Sequence, residues 1–271
     1  MPEVFVSGAF NDLRSRDVRF LQEAARLGNV TVLLWPDESF QRLLGWLPEF
    51  PQAERRYMLA AIRYVDRVVL AEEPVAPDQL PLPVGLRPDL WVVNSSEDTL
   101  SKRTFCASAG IGYRVLPATQ LEGFPLPATQ LPESGRKKGI VTGCFDWLHS
   151  GHIRFFEQAA AYGDLYVSLG SDSTIRQLKG AGHPLQSQQE RLYMVQAARS
   201  VSQAFIASGS GYLDVEPEIE RVRPDIYLVN QDGDRPEKRD FCRKHGLGYI
   251  VLQRLPADGL PARQSTHLRG Y

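Results

Sequence analysis

Gly143-Cys-Phe-Asp-Trp-Leu-His-Ser-Gly-His152 carries two histidines three residues apart, with a glycine between them, directly after a short apolar run. An apolar run that ends in glycine and is followed by a helical pattern predicts a buried strand that turns into a helix. The N-terminus of a helix presents backbone N–H groups to an anion, and glycine permits close approach. The stretch therefore indicates a phosphate-binding corner with His149 and His152 facing one pocket.

An earlier stretch, Gly8-Ala-Phe-Asn-Asp-Leu-Arg-Ser-Arg-Asp17, has the same frame without either histidine. When the sequence is shifted on itself by 135 residues, Gly8–Gly28 falls on Gly143–Gly163, and nine of these 21 positions are identical. With a one-residue gap the match continues through both copies. A match at one fixed offset indicates an internal duplication. We therefore expect two homologous domains, residues 1–134 and 135–271.

Each copy alternates short apolar runs with helical patterns, which predicts an α/β fold: two tandem Rossmann-like domains, each a parallel sheet with helices on both faces. In such sheets ligands collect at the carboxyl ends of the strands, where the histidine motif lies. In the second copy we expect strands at 139–143, 165–169, 203–207, 226–230 and 249–252. Helices are expected at 151–162, 187–199, 215–222 and 236–245.

The overall composition is that of an ordinary globular protein, with 43% hydrophobic and 23% charged residues and a formal net charge of −1. A chain with so little net charge has no basic field for nucleic acid or for a membrane surface, so neither partner is expected. Cys106, Cys144 and Cys242 show no paired spacing, which favours free thiols in a reducing compartment. With no leader-like start and no long apolar run, we expect a cytoplasmic protein.

The segment His149-Ser-Gly-His152 matches the HxGH signature of the nucleotidyltransferase superfamily that contains the cytidylyltransferases and several adenylyltransferases. The preceding Gly143-Cys-Phe-Asp-Trp-Leu resembles the usual lead-in to that signature, and the resemblance covers the second copy nearly end to end. It implies that the phosphate of a small phosphorylated alcohol or sugar attacks the α-phosphate of a nucleoside triphosphate and that pyrophosphate leaves. Mg²⁺ would accompany the triphosphate.

The resemblance also implies roles for single residues. His149, His152 and Lys179, the last in a loop near the phosphates, are the expected catalytic groups. The expected nucleotide-binding residues are Thr142, Gly143, Cys144, Phe145, Gly151, Asn230, Asp232, Ser265 and Thr266. The expected substrate-binding residues are Asp146, Trp147, Arg191 and Arg254, with Trp147 as a wall of the acceptor pocket. No metal site made by protein ligands is expected.

Two resemblances disagree about the nucleotide. Ser171–Pro184 looks like the heptose-phosphate adenylyltransferases, which use ATP, whereas the tandem architecture looks like ethanolamine-phosphate cytidylyltransferase, which uses CTP. The architecture favours CTP, and Asp232 can accept a hydrogen bond from the exocyclic amine of either base. A regulatory protein that binds a nucleotide without turning it over is the alternative from another functional class.

The first copy lacks the chemical groups of the second. Arg14 stands in place of His149, Arg16 in place of Gly151, Asp17 in place of His152 and Leu44 in place of Lys179. Asp17 would repel a triphosphate. We therefore expect the first domain to fold like the second without catalysing. Because single-domain relatives tend to act as dimers, the first domain is expected to replace a second subunit in an internal pseudo-dimer, with further homo-oligomerisation left open.

Overall fold

The structure is a computed structural model that describes residues 1–72, 75–126, 134–265 and 268. The chain divides into two compact units, Met1–Phe124 and Pro125–Tyr271. The predicted boundary near Ser134 adjoins residues 127–133, which are outside the described part. Among the described residues no helix has the length and apolar character needed to cross a membrane.

The first unit contains a five-stranded parallel sheet with the strand order β3-β2-β1-β4-β5. Its strands are β1 (Glu3–Gly8), β2 (Asn29–Leu34), β3 (Arg67–Leu70), β4 (Leu90–Asn94) and β5 (Gly112–Leu116). Its helices are α1 (Ser15–Ala25), α2 (Asp37–Leu44), α3 (Gln52–Ala60) and α4 (Leu100–Ala109), followed by a 3₁₀ turn at Ala118–Leu121.

The second unit repeats this sheet with the order β10-β9-β6-β7-β8, again all parallel. Its strands are β6 (Lys138–Gly143), β7 (Asp164–Leu169), β8 (Gln203–Ile206), β9 (Ile226–Asn230) and β10 (Gly248–Leu252). Its helices are α5 (Ser150–Ala160), α6 (Asp172–Lys179), α7 (Gln188–Gln196), α8 (Glu216–Val222) and α9 (Pro236–His245), with a 3₁₀ turn at Gln231–Gly233. The predicted α/β fold with two parallel sheets is confirmed.

Helix α6 was not predicted, and it changes the position of a candidate catalytic residue. The Ser171 side chain caps the helix by accepting the N–H of Thr174 at 3.2 Å, and Gly180 ends it with a left-handed φ of 95°. Lys179, expected in a loop, is therefore the last residue of a helix. Helix α7 ends at Gln196, three residues before the predicted end, because the chain turns there through hydrogen bonds such as Ala198 N–H to Val195 O at 3.1 Å.

Both faces of the second sheet are buried, so a ligand can reach the sheet only at its ends. Ile140, Tyr227 and Val229 pack against α8 and α9, while Val141 and Leu228 point to the other face and are fully buried. The strand order reverses at β6, whose neighbours are β7 on one side and β9 on the other. In doubly wound sheets ligands bind outside the carboxyl ends of the strands at such a reversal. The segments that follow β6 and β9 therefore meet where a ligand is expected.

The corner after β6 is a strained turn that recurs after β1. Phe145 has φ 51° and its counterpart Phe10 has φ 45°, in the left-handed region that side chains other than glycine rarely adopt. A Cβ added to Gly143 would lie 2.7 Å from the Phe145 ring, and one added to Gly8 would lie 3.2 Å from the Phe10 ring. The glycine thus makes room for a phenylalanine of the protein itself. Because the same strained backbone occurs in both units, it is a feature of the shared fold. The strain alone therefore does not indicate which unit carries an active site.

Candidate active site

A cavity of about 480 Å³ lies at the carboxyl ends of β6 and β9. Ten of the predicted site residues line it: Thr142, Gly143, Cys144, Phe145, Asp146, His152, Lys179, Asn230, Asp232 and Ser265. The other lining residues, which the sequence analysis missed, are Phe155, His183, Val229, Gly233 and Lys238. A second cavity of about 180 Å³ shares Phe155 and Asn230 with the first and is also lined by Gly151 and Arg254.

Three further predicted residues, all within the described part of the chain, do not line either cavity. His149 lies beneath His152, Trp147 is half-buried elsewhere, and Arg191 is in the interior. Trp147 does not line these two cavities, and its place in the wall of an acceptor pocket stays a prediction. Thr266 falls outside the described residues.

The two histidines form a stacked pair at the start of α5. His149 is the N-cap residue, and its Nδ1 accepts the backbone N–H of Gly151 at 3.1 Å. The imidazole of His152 stacks on that of His149, with ring centroids 3.9 Å apart and planes inclined by 23°. Phe145 packs edge-on against His152 at 5.2 Å. The strained corner and the helix cap thus fix the orientation of both rings.

The hydrogen bond at Nδ1 determines what His149 can do. A neutral imidazole whose Nδ1 accepts carries its proton on Nε2, which is then a donor. His149 is only 3% exposed, and its Nε2 has no hydrogen-bond partner among the residues that the structure describes. The side chain of His152 is hydrogen-bonded to the backbone of Trp147. Buried polar atoms normally find partners, so the pair has unused hydrogen-bonding capacity beside the cavity.

The electrostatic surroundings of the pair disfavour positive charge and favour an anion. Burial, together with the positive charges of Arg254 and Arg263, lowers the pKa of His149 to about 4. Burial also holds the pKa of His152 well below its usual value, assisted by His149 and Arg254. Both rings are therefore neutral at pH 7. Burial is the larger cause of this neutrality, and the positive charge of Arg254, which adds to it, would also attract a phosphate.

We expect the free energy of unfolding to fall as the pH drops from about 6.5 to about 4, because the His149 ring must stay neutral in the fold. The unfolded chain takes up the proton near pH 6.5, whereas the folded chain resists it down to about 4. The stabilisation is therefore complete above pH 6.5, and its loss reaches about 3 kcal/mol below pH 4. Denaturant titrations across this pH range measure it. In His149→Asn, which keeps a helix-capping side chain, this part of the decline should be absent, and an unchanged decline would contradict the assignment.

Arg191, which was predicted to contact substrate, is fully buried and hydrogen-bonds to the backbone of segments next to the cavity. Its Nε donates to Gln186 O at 3.2 Å, and its terminal nitrogens donate to Cys144 O at 2.7 Å, Gly170 O at 2.9 Å and Asp172 Oδ1 at 2.8 Å. These bonds tie the ends of β6 and β7 to the segment before α7. All three guanidinium nitrogens are engaged by the protein, which favours a structural role, and the substrate contact stays a prediction.

The first unit contains the same arginine in the same role. Arg55 donates from Nε to Phe50 O at 2.9 Å and from its terminal nitrogens to Ala9 O, to Trp35 O at 2.9 Å and to Asp37 Oδ1 at 2.6 Å. It is 2% exposed. Because the copy without the histidines keeps every one of these bonds, the arginine is a structural residue in both.

Asp146, also predicted to contact substrate, lines the large cavity while its carboxylate anchors a neighbouring segment. It accepts the backbone N–H of Leu185 at 2.8 Å and that of Gln186 at 2.9 Å. In the first unit Asn11 occupies the equivalent position and accepts the backbone N–H of Phe50 at 3.3 Å. The carboxylate therefore holds the segment after α6 against the cavity.

Asp232 and Arg254 form an ion pair between the two cavities, and Arg254 also donates to Arg263 O at 3.2 Å. Deeper in the large cavity the Thr142 hydroxyl is hydrogen-bonded to the Tyr227 hydroxyl at 2.8 Å. One oxygen of Asp232 is engaged by Arg254, which leaves the other for a ligand. Burial raises the pKa of the Cys144 thiol, so this cysteine is not poised as a thiolate.

The equivalent corner of the first unit has an arginine, Arg14, and an aspartate, Asp17, where the second has imidazoles. Asp17, in the place of His152, accepts the backbone N–H of Arg14 at 2.9 Å and closes the helix start with a side chain of the helix itself. A cavity of about 420 Å³ remains there, lined by Arg16, Asp17 and Glu97 among others. Two of the charged lining residues are carboxylates, which repel phosphate groups, and the third is Arg16.

Comparison with known proteins places the similarity in the second unit. The family model described as cytidylyltransferase-like matches residues 140–255. An FAD synthase of Methanocella paludicola is 33% identical over 133 residues, 48% of this chain and 91% of that protein. An FAD synthase of Methanohalophilus mahii is 36% identical over 117 residues and is covered over 78% of its length.

Other relatives are much longer than the matched region. The bifunctional protein HldE of Campylobacter curvus is 33% identical over 133 residues, which is 48% of this chain and 26% of that protein. The chain spans between 17% and 28% of the length of several such HldE proteins. A solved lipopolysaccharide core biosynthesis protein of Thermoplasma volcanium matches with 25% identity and a TM-score of 0.38, over 45% of this chain and 98% of that one. The two FAD synthases are matched over most of their own length at more than 30% identity, and the chain belongs to the cytidylyltransferase-like family.

Proposed function

We propose that the second domain is a nucleotidyltransferase that moves a nucleoside monophosphate from a nucleoside triphosphate to the phosphate of a small alcohol or sugar and releases pyrophosphate. The observation that carries this proposal is the stacked pair of His149 and His152 at the start of a helix beside the cavity, in which the buried Nε2 of His149 has no hydrogen-bond partner among the described residues. Family membership and the position of the cavity at the strand reversal support it.

The proposed reaction needs charge stabilisation and no protein nucleophile. An oxygen of the acceptor phosphate attacks the α-phosphorus, the bond to the β-phosphate oxygen breaks, and pyrophosphate leaves. His152 and His149 stabilise the negative charge that develops on the phosphate oxygens, and Lys179 at the rim neutralises the incoming phosphate. Arg254 lies where the triphosphate would extend into the smaller cavity.

The described side chains offer few ligands for a metal ion, and this fits a cation that is bound mainly by the phosphates of the nucleotide. Among the described residues no group of three His, Cys, Asp or Glu side chains could hold a metal ion. Mg²⁺ usually keeps several waters and is bound through substrate phosphates with few protein ligands. In this proposal Mg²⁺ enters with the triphosphate and neutralises part of its charge.

ATP and CTP are the two candidate donors. The tandem architecture favours CTP, and the resemblance of Ser171–Pro184 to the heptose-phosphate adenylyltransferases favours ATP. The FAD synthase relatives are named for making an adenine dinucleotide, which adds to the case for ATP. We take ATP as the first donor to test. The first domain, in this proposal, is non-catalytic and replaces the second subunit of a dimer.

A thermal-shift screen of the full chain with ATP, CTP, GTP and UTP, each with Mg²⁺, tests the proposal. At a concentration 100 times its Kd, a ligand stabilises the folded chain by about 2.7 kcal/mol, which raises the Tm by roughly 5 °C or more. We expect this shift with ATP or CTP and expect pyrophosphate release once a phosphorylated acceptor is added. A shift without release would favour the regulatory alternative, and no shift with any triphosphate would contradict the proposal.

A further inference from the structure

Lys238, in the first turn of α9, lines the large cavity and is not among the residues predicted from the sequence. It is 8% exposed, and within the described residues its ammonium makes no hydrogen bond or ion pair. Its nearest aromatic contacts are the ring faces of Tyr212 at 5.3 Å and Tyr227 at 5.9 Å. An ammonium has three donors, and ring faces do not replace oxygen acceptors. The donors of this largely buried lysine are therefore available to a ligand in the cavity.

In the first domain the matching lysine is satisfied by a backbone carbonyl of the protein itself. Lys102 occupies the matching position, is also 8% exposed, and donates to Glu97 O at 2.6 Å above the ring of Trp91. Gly233 replaces Glu97 in the second domain, and its Cβ position would lie 3.8 Å from Lys238 Nζ. Lys238 makes no bond to that residue's carbonyl, so the second domain leaves its lysine unsatisfied beside the cavity.

The charges around Lys238 do not neutralise it by contact. Burial lowers the pKa of Lys238, and the positive charge of Arg235 acts in the same direction. The carboxylates of Asp214 and Asp232 act in the opposite direction without forming an ion pair with it. A buried cation that lacks a contact partner gains most from a ligand that carries negative charge.

We propose that Lys238 binds the anionic phosphate of the acceptor, as a partner of Lys179 on the same cavity. Lys179 is exposed at the end of α6, whereas Lys238 is buried and supported by two tyrosine rings. The inference rests on the proposed function and narrows it: the phosphate of the acceptor contacts a buried lysine whose counterpart in the first domain, Lys102, is already hydrogen-bonded to Glu97 O.

Binding of inorganic phosphate to the full chain tests this inference. The chain is first saturated with a non-hydrolysable triphosphate analogue and Mg²⁺ so that the nucleotide positions are filled, and phosphate is then titrated by calorimetry. Loss of one charge-assisted contact is expected to weaken phosphate binding about 10- to 100-fold in Lys238→Met, which keeps most of the apolar stem. Lys238→Arg should retain part of the affinity. Lys102→Met, the matched change in the first domain, should leave it unchanged.

Each outcome has a definite meaning. Equal phosphate affinity in the wild type and Lys238→Met, with a lowered Tm in the variant, would overturn the inference and make Lys238 a structural residue like Lys102. An equal loss of affinity in Lys102→Met would also overturn it. If no triphosphate analogue binds the wild type, the proposed nucleotidyl transfer fails. A loss of phosphate affinity in Lys238→Met without nucleotide would then still support an anion contact at Lys238.

Discussion

His152→Ala in the full chain is expected to slow pyrophosphate release by about 10²- to 10³-fold, the usual effect of removing one hydrogen-bond donor that stabilises developing charge. His152 is the histidine of the pair that lines the cavity, and it is held between the rings of His149 and Phe145. Its side chain is hydrogen-bonded to the backbone of Trp147, so a small loss of stability is expected while the variant remains folded. Steady-state rates with saturating triphosphate and acceptor, beside a thermal melt, measure both effects.

Variants of the neighbouring positions separate chemistry from structure. His149→Asn keeps a side chain that can cap α5, whereas His149→Ala loses both the cap, worth about 1 kcal/mol, and the donor. Both should be nearly inactive, and only the alanine variant should be clearly less stable. Asp17→Ala, the matched change in the first domain, should leave the rate unchanged. If His152→Ala retains near wild-type turnover, the pair is not the catalytic centre.

Arg191→Met is expected to lower the free energy of unfolding of the second domain by about 3–5 kcal/mol, because it removes one partner of a buried ion pair and leaves carbonyl acceptors unsatisfied. Arg191 is completely buried and bonded to Asp172 and to three backbone carbonyls, one of which, Cys144 O, belongs to the strained corner. Activity should fall with it, since the corner that orients His152 loses its support.

Arg55→Met provides the comparison, since the same four contacts exist in the first domain. Denaturant unfolding should show a similar loss of stability, confined to the first domain. Because a chain of two domains need not unfold in one step, limited proteolysis identifies which domain opens. A stable Arg191→Met chain whose only defect is a raised KM for the acceptor would restore the substrate contact expected from the sequence.

Much of the fold was predictable because local patterns of apolar and polar residues specify it, and these patterns occur in both copies. The strands of the second domain follow from short apolar runs, and both sheets have the all-parallel order that alternating strands and helices predict. Helix α6 was missed because the resemblance to the nucleotidyltransferases placed Lys179 in a loop, and the eight residues that end at Lys179 were therefore not considered as a helix. Its Ser171 cap and Gly180 end were visible in the sequence and could have indicated it.

The site was predictable only where a sequence motif contains the reactive side chains themselves. The pattern of His149 and His152 led to the cavity because the strand reversal gathers the residues after β6 and β9. Arg191 was assigned a substrate contact although its match to Arg55, in a copy without the histidines, already favoured a structural role. Lys238 could not be distinguished from Lys102 by sequence, because the difference is a hydrogen bond to Glu97 O that only one of them makes.

Transfer of label from a triphosphate carrying ³²P at the α-position to a phosphorylated alcohol or sugar tests the central claim most directly. The full chain with Mg²⁺ is incubated with labelled ATP or CTP and a panel of acceptors, beside His152→Ala and Asp17→Ala. We predict labelled product and an equal amount of pyrophosphate from the wild type and from Asp17→Ala, and almost none from His152→Ala. The claim that the second domain transfers a nucleotide with the help of His152 would be contradicted by either of two results. One is no labelled product from the wild type with any acceptor, and the other is as much labelled product from His152→Ala as from the wild type.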